Sequence, residues 1–433
     1  MDKYFIMTRK KIIFIVFLFT FTSNLIYADG QFESSRSFNP VGSGARAIAM
    51  GGAFINGNDA TTAKYNPAGL VRVDEAEFSI VLNYNFKKEN NSCKDNFSFK
   101  NEKYLFNKNI NFFSKTIPYV LFNRNMVLSF SYQELYDLIR EWNFIVDRPE
   151  LNTQDEINYK QNGKLSSLSV SNGIQIFPSK LSFGFTINFL NNKYTENEWK
   201  KEFSVKRSGI LSYNRVEKFS IKGININFGL LWEINKQLSL GCIYKSSFKA
   251  SVEHIIIRSF PYYKDHPVDT FTKNENLIMP SAYGIGISYH YSNELTLSSD
   301  IYSIEWNKSI YIDEEGSETS LISGKNKNNS NVSQVYQVRL GFEYLYLNKN
   351  KGFIIPIRGG LFYDPSPSEN KVDHFWGISS GFGFGFTNNS LYRFDIAYVY
   401  RFGRNVGTSM LQNHSFSQDV DEHQLYSSVI VYY

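Results

Sequence analysis

The chain has 433 residues and a mean hydropathy of −0.32. That is length for one large domain or two to three ordinary ones, and it is too polar for a bundle of membrane helices. Aromatic residues make up 17% of the chain, with 38 Phe and 29 Tyr, an excess that suits pleated surfaces and membrane interfaces. A net charge of +5 excludes a strongly basic nucleic-acid binder, and two cysteines are too few for a secreted fold stapled by disulfides.

In chain order, Lys3, Arg9, Lys10 and Lys11 precede an apolar run from Ile12 to Phe21, and Ile26-Tyr27-Ala28 offers a cleavage site after Ala28. The run is short for a span of roughly 20 residues, and no later run reaches that length. Residues 1–28 therefore read as a secretory signal. They carry four basic and one acidic side chain, so their removal takes the net charge from +5 to +2. Next comes the Gly- and Ala-rich stretch NPVGSGARAIAMGGAFINGNDATTAKYNPAGL, Asn39–Leu70. It does not alternate, and a closed sheet would leave it no edge to pair with. Its small residues suit close packing in a confined space, and a turn is signalled at Asn66-Pro67-Ala68. Residues 29–76 are expected to form a compact plug inside the sheet built by the rest of the chain.

From residue 77 onward the sequence alternates. A lone strand, Phe78–Phe86, leads into six hairpins. Their turns are expected at Asn123–Asn125, Pro178–Lys180, Asn235–Gln237, Ser292–Glu294, Asn348–Gly352 and Thr387–Ser390, each filled with turn-prone residues. His423–Tyr433 makes a lone final strand. The total is fourteen strands over residues 77–433. Between hairpins lie long polar stretches read as loops: Lys87–Lys115, Leu135–Lys164, Asn191–Val216, Glu253–Asn276 and Asn307–Val332, with shorter ones at Asp364–Asp373 and Gly403–Glu422. Short turns on one side and long loops on the other are the asymmetry of an all-β, antiparallel transmembrane barrel of the outer membrane. An even count puts both chain ends on the periplasmic side.

The alternation fits lipid outside and a polar lumen inside. Leu181, Phe183, Phe185, Ile187 and Phe189 oppose Ser182, Gly184, Thr186 and Asn188. Tyr336, Val338, Leu340, Phe342 and Tyr344 oppose Arg339, Gly341 and Glu343. Tyr392, Phe394, Ile396, Tyr398 and Tyr400 oppose Arg393, Asp395 and Arg401. A soluble sandwich would show the same alternation, so the loop asymmetry separates the two.

Catalytic and metal chemistry finds little support. Gly377-Ile378-Ser379-Ser380-Gly381 has the spacing of a nucleophile elbow but lies mid-strand, without the strand-turn-helix context the elbow needs. Gly381, Gly383 and Gly385 are expected to give the lumen wall room beside the plug. No two of the six histidines have metal-ligand spacing, and His254 and His266 fall in an expected solvated loop. Neither an enzyme nor a cofactor or metal site is indicated. Candidate contacts for an anionic head group are the lumen cations Lys245 and Lys249, expected to share one polar face, with Arg339, Arg358 and Arg393. The alternative for these charges is a bracing network with Asp300, Glu343 and Asp395.

The plug segment resembles the FadL/TodX family of outer-membrane transporters. The matching residues are Gly42-Ser43-Gly44-Ala45-Arg46-Ala47, Met50-Gly51-Gly52-Ala53-Phe54, Asp59-Ala60 and Tyr65-Asn66-Pro67-Ala68-Gly69-Leu70. The resemblance implies passive uptake of long-chain fatty acids, aromatic hydrocarbons or other small hydrophobic molecules. It also implies a gating hatch, with Gly51, Gly52, Asn66, Pro67 and Ala68 at the positions that would move, and lateral release beside a kinked third strand. Met126–Gln133 would be that strand, and it contains no Pro or Gly to force a kink. The remaining expected partners are outer-membrane lipid and the barrel-insertion machinery, which would read the apolar, aromatic C-terminal end. The barrel is expected to act as a monomer. The same motif also resembles PorV-like barrels, which serve protein secretion through protein partners.

Overall fold

A computed structural model describes residues 42–93, 99–148, 153–177, 180–207, 209–261, 268–386, 391–410 and 416–433. The expected signal, His266, the turn at Thr387–Ser390 and part of that at Pro178–Lys180 lie outside them. Twenty strands are found among the described residues. They are β1 (Glu77–Cys93), β2 (Phe99–Leu121), β3 (Arg124–Asp137), β4 (Arg140–Arg148), β5 (Thr153–Phe177), β6 (Leu181–Asn191), β7 (Glu198–Arg207), β8 (Ile210–Glu233), β9 (Leu238–Lys245) and β10 (Phe248–Ser259). The second ten are β11 (Asp269–Met279), β12 (Ala282–His290), β13 (Leu295–Ile304), β14 (Ile310–Ile312), β15 (Glu318–Ser320), β16 (Val335–Asn348), β17 (Phe353–Tyr363), β18 (Phe375–Phe386), β19 (Tyr392–Val406) and β20 (Ser417–Tyr432).

Fourteen of these close a ring. Antiparallel ladders run β1–β2–β3–β5–β6–β8–β9 and on through β12–β13–β16–β17–β18–β19–β20. The last strand returns to the first, from Glu77 opposite Tyr432 to Ser92 opposite Ser417. The expected strand count and closed barrel are therefore found. The turn between β2 and β3 is set by Phe122 and Asn123, both at positive φ, the geometry of a two-residue hairpin turn.

The long polar stretches are not loops for most of their length. β1 and β2 run on to Cys93 and from Phe99. A second tier, β4–β5–β7–β8–β10–β11–β14–β15, continues the wall beyond the short barrel strands. There the outward face is largely polar and the inward face mixes apolar with charged side chains, so the period-2 hydrophobic signal weakens while the ladder continues.

The barrel is apolar outside. Leu340 is 47% exposed, Leu361 56%, Ile378 50% and Phe382 53%, whereas Glu343, Arg358 and Asp395 on the opposite face are almost fully buried. An apolar exterior of this extent is far beyond the patches a soluble monomer presents, and lipid is the solvent it suits. No described helix is long and apolar enough to cross a membrane, so the strands are the spanning elements.

Breaks between the tiers change the phase of alternation. Cys242 and Tyr244 of β9 face outward and Lys245 inward, yet after Ser246-Ser247 it is Lys249, Ser251 and Glu253 of β10 that are exposed. Lys249 is thus on the outer face, not beside Lys245 in the lumen, because counting by twos fails across a break. The third strand is also broken, without Pro or Gly. A bulge at Glu134–Tyr136 is followed by Leu138-Ile139, where Asp137 Oδ1 accepts from the Ile139 N–H at 3.1 Å.

Candidate functional site

The segment before β1 lies inside the ring. Its first helix, α1 (Ala45–Ala49), packs against β17, β18, β19 and β20. The 3₁₀ helix Pro67–Arg72 packs against β3, β5, β6 and β8. A segment touching opposite arcs of a closed sheet must cross its lumen. Ala45, Ala47, Ala49, Ala60, Ala63 and Ala68 are fully buried, which accounts for the small-residue composition.

Glycines of the wall make this approach possible. A Cβ at Gly360 would lie 2.1 Å from Gly51 N, one at Gly341 2.3 Å from Met50 O, one at Gly184 2.3 Å from Pro67 C and one at Gly229 1.9 Å from Asn66 Oδ1. Gly381 likewise meets Ala49, as expected, but Gly383 faces the Asp395 carboxylate and Gly385 faces Ile354 and Arg393. Only the first of those three leaves room for the plug.

Polar side chains of the wall then hold the plug's backbone. Asp300 Oδ2 accepts from the N–H groups of Phe54 and Ile55 at 2.7 and 2.9 Å. Ser379 Oγ donates to Ala49 O and accepts from Gly51 N, both at 2.9 Å, so the serine of the elbow-like motif is a latch on the plug. Arg339 donates to Gly51 O at 3.0 Å. Gly51 and Gly52 have φ of 67° and 74°, a conformation that favours glycine. In the Asn-Pro-Ala turn, the Asn66 side chain accepts from Ala68 N at 3.1 Å and donates to Leu230 O of β8 at 3.0 Å.

Most candidate head-group cations are already paired. Arg358 donates to Glu343 at 2.6 Å and Asp395 at 2.7 Å, and Arg393 lies 3.1 Å from Asp395. Arg46 of the plug grips Glu343 with two nitrogens at 2.9 and 2.6 Å. Arg339 is 3.7 Å from Asp364. This is the bracing network, and it ties plug to wall. Lys245 faces the lumen and has no ion-pair partner among the described residues.

The site that sequence reasoning missed lies beyond the plug. In the half of the lumen away from the short turns, called the outer half below, Tyr136, Leu165, Trp199, Phe219, Leu277, Trp306, Leu321 and Ile322 join one buried apolar cluster. It spans the ring: the rings of Tyr136 on β3 and Trp306 after β13 meet edge-to-face at 6.4 Å. Trp306, Leu321 and Ile322 belong to the stretch Asn307–Val332 or its edge, which folds inward rather than standing free as a loop. His254 is here too, buried and not solvated, with Nδ1 2.9 Å from Glu275 and its ring stacked on Phe219. On the other side of the plug, a polar vestibule of about 550 Å³ is lined by Arg46, Phe54, Asn56 and Arg72 together with Glu233 and His290 near the short turns.

The ladder between β2 and its neighbour on the β3 side is discontinuous and leaves a seam. β2 pairs with β3 only from Leu121–Arg124 to Phe112–Gln133, while its remaining residues pair with β1 alone. Past that point, side chains bridge the seam: Asn107 to Asp137 at 2.8 Å and Lys103 to Glu141 at 2.6 Å. Lys64 of the plug donates to Glu134 O at 2.5 Å, at the bulge beside this seam.

The fold is shared with known channels. A Pseudomonas aeruginosa FadL homologue aligns with a TM-score of 0.63 at 12% identity, covering 92% of this chain and 99% of that one. The Pseudomonas putida toluene transporter TodX aligns at 0.56 and 12%, covering 92% and 100%. The Ralstonia pickettii toluene transporter TbuX aligns at 0.55 and 13%, covering 90% and 98%. No curated protein matches the sequence. The profile of the family described as outer membrane protein transport protein (OMPP1/FadL/TodX) matches residues 34–429. With its closed fourteen-stranded barrel and apolar exterior, the chain belongs to this family of outer-membrane transporters of hydrophobic compounds.

Proposed function

We propose that the protein is a passive uptake channel for small hydrophobic molecules, long-chain fatty acids among them. The observation that carries this reading is the apolar cluster across the outer lumen, a greasy site in an otherwise polar interior, separated from the periplasmic vestibule by the plug. Substrate enters from the loop side by displacing the inward-folded stretch around Trp306, Leu321 and Ile322. Burial of an alkyl chain there is worth about 0.8 kcal/mol per methylene. Lys245, a lumen cation without a carboxylate partner among the described residues, is suited to the head group of a fatty acid.

Residues 29–76 act as the hatch. Gly51, Gly52, Asn66, Pro67 and Ala68 are the positions at which it is seated and from which it would unseat. Exit is lateral, through the seam between β2 and the broken third strand, where side chains replace the ladder. Lys64 at the bulge links hatch and seam. The chain ends and short turns are periplasmic, and the barrel works as a monomer inserted by the cell's barrel-assembly machinery.

The test is binding of dodecanoate and dodecanol to the detergent-purified barrel, followed through fluorescence of Trp199 and Trp306. Both ligands should bind at micromolar or tighter concentrations, and Lys245→Met should weaken dodecanoate about tenfold, the worth of a charge-assisted contact, with little effect on dodecanol. Absence of binding by either, with a co-purifying exported protein on the loops, would favour the secretion-shuttle reading of the same motif.

A further inference from the structure

We propose that His254 is a polar recognition site within the apolar outer lumen and that it selects hydrophobic molecules carrying a hydroxyl, such as alkylphenols or long-chain alcohols. The inference rests on the uptake reading above and adds a substrate class to it. His254 is 4% exposed. It sits on the inward face of β10 with Ala250 and Val252, which belong to the apolar cluster. Its ring stacks on Phe219 at 4.0 Å, and Phe219 stacks on Trp199 at 4.3 Å. Glu275 fixes the ring's orientation through Nδ1 at 2.9 Å, and the same carboxylate oxygen accepts from the Tyr311 hydroxyl. The other ring nitrogen, Nε2, is buried and has no hydrogen-bond partner among the described residues.

A buried nitrogen without a partner is costly, so each one calls for an explanation. Here the explanation is a ligand group. With Nδ1–H directed at Glu275, Nε2 of the neutral ring is an acceptor, whereas Nε2–H of the protonated ring is a donor. A hydroxyl satisfies either state, since it can donate or accept. A carboxylate satisfies only the protonated ring, and it would place a second anion in an apolar site beside Glu275. Lys201, whose ammonium lies 5.1 Å from the Trp199 ring centre, is the cation a carboxylate would turn to, and it already has interactions of its own.

The experiment measures binding of three probes with one skeleton, hexylbenzene, 4-hexylphenol and 4-hexylbenzoate, to the full-length barrel in detergent. The wild type should bind the phenol about three- to tenfold more tightly than the hydrocarbon, the range one buried hydrogen bond provides. His254→Phe, which keeps a ring to stack on Phe219, should abolish that difference while hexylbenzene still binds. His254→Gln, which retains a hydrogen-bonding end, should restore part of it. Equal binding of phenol and hydrocarbon by the wild type would overturn the proposal while leaving the uptake reading intact. So would a His254→Phe effect on the benzoate but not on the phenol. Failure of all three probes to bind would overturn both. The wild-type ratio decides the matter even where a variant fails to fold.

Discussion

Asp300 is the wall's firmest hold on the plug's backbone, and its removal has a calculable consequence. Phe54 and Ile55 are at most 3% exposed, and their N–H groups both donate to Asp300 Oδ2. Asp300→Ala leaves two buried donors without a partner. Each costs about 1–3 kcal/mol, so local opening becomes easier by about 2–6 kcal/mol. The lower end applies here, because Phe54 borders the polar vestibule, where water can reach it. Even about 2 kcal/mol raises the locally open fraction roughly 30-fold. Amide hydrogen exchange reads this quantity directly. In the purified barrel, peptides covering residues 50–57 should exchange about 30-fold faster in Asp300→Ala, with the β1–β20 ladder unchanged as internal reference. Asp300→Asn, which keeps an oxygen able to accept both bonds, should fall between. Exchange within about twofold of wild type in Asp300→Ala would refute the idea that this carboxylate seats the plug.

Other perturbations test the same architecture. Gly360→Ala would bring a methyl within 2.1 Å of Gly51 N. It should therefore expose residues 42–76 to limited proteolysis while the heat-modifiable barrel band persists; an unchanged digest would contradict the close-approach account. Arg358→Ala removes the guanidinium that bridges Glu343 and Asp395, leaving the first to Arg46 and the second to Arg393, and should lower unfolding stability by about 1.5–3 kcal/mol, the worth of a hydrogen bond to a charged group. Arg358→Lys should rescue little of it, since an ammonium lacks the fork that reaches both carboxylates, and full rescue by Lys would count against the bridging role. Asp373, in the outer β17–β18 connection, has its carboxyl pushed up to about 6 by burial, against the pull of the Gly407 N–H bond. Its folded value lies above its unfolded one, so its stabilising contribution is complete below about pH 4 and is lost as pH rises through 6. Exchange protection of residues 364–373 should fall across that interval in the wild type and stay flat in Asp373→Asn.

Legibility in the sequence depends on where lipid is. Strands such as Leu181–Asn191 and Tyr392–Val406 have lipid on one face and lumen on the other, so alternation marks them and sets their direction. The outer tier has no lipid face, so Glu198–Arg207 reads as a polar loop although it pairs on both sides. Trp199 and Trp306 were invisible as site residues for a related reason: they are lone aromatics in polar stretches, and only closure of the ring brings them together. Lys249 was misplaced because a two-residue break reverses the alternation. The third strand's break came from a bulge and the Asp137 side chain rather than from Pro or Gly. The plug was legible because small residues in sequence have one physical use at a confined approach. Its partners on the wall were not, because a lumen glycine looks the same whether it faces a backbone or water.

On the uptake proposal, hydrophobic substrate passes through the apolar outer lumen. The most direct test is uptake of radiolabelled dodecanoate and 4-hexylphenol by cells that lack their own carriers and display either the wild-type barrel or Ala250→Trp. Ala250 is fully buried in the apolar cluster, so the indole occupies the space a substrate would use. Wild-type cells should take up both compounds, and cells with equal amounts of folded Ala250→Trp barrel should take up neither above background. Equal uptake by the two would place the route elsewhere and contradict the account.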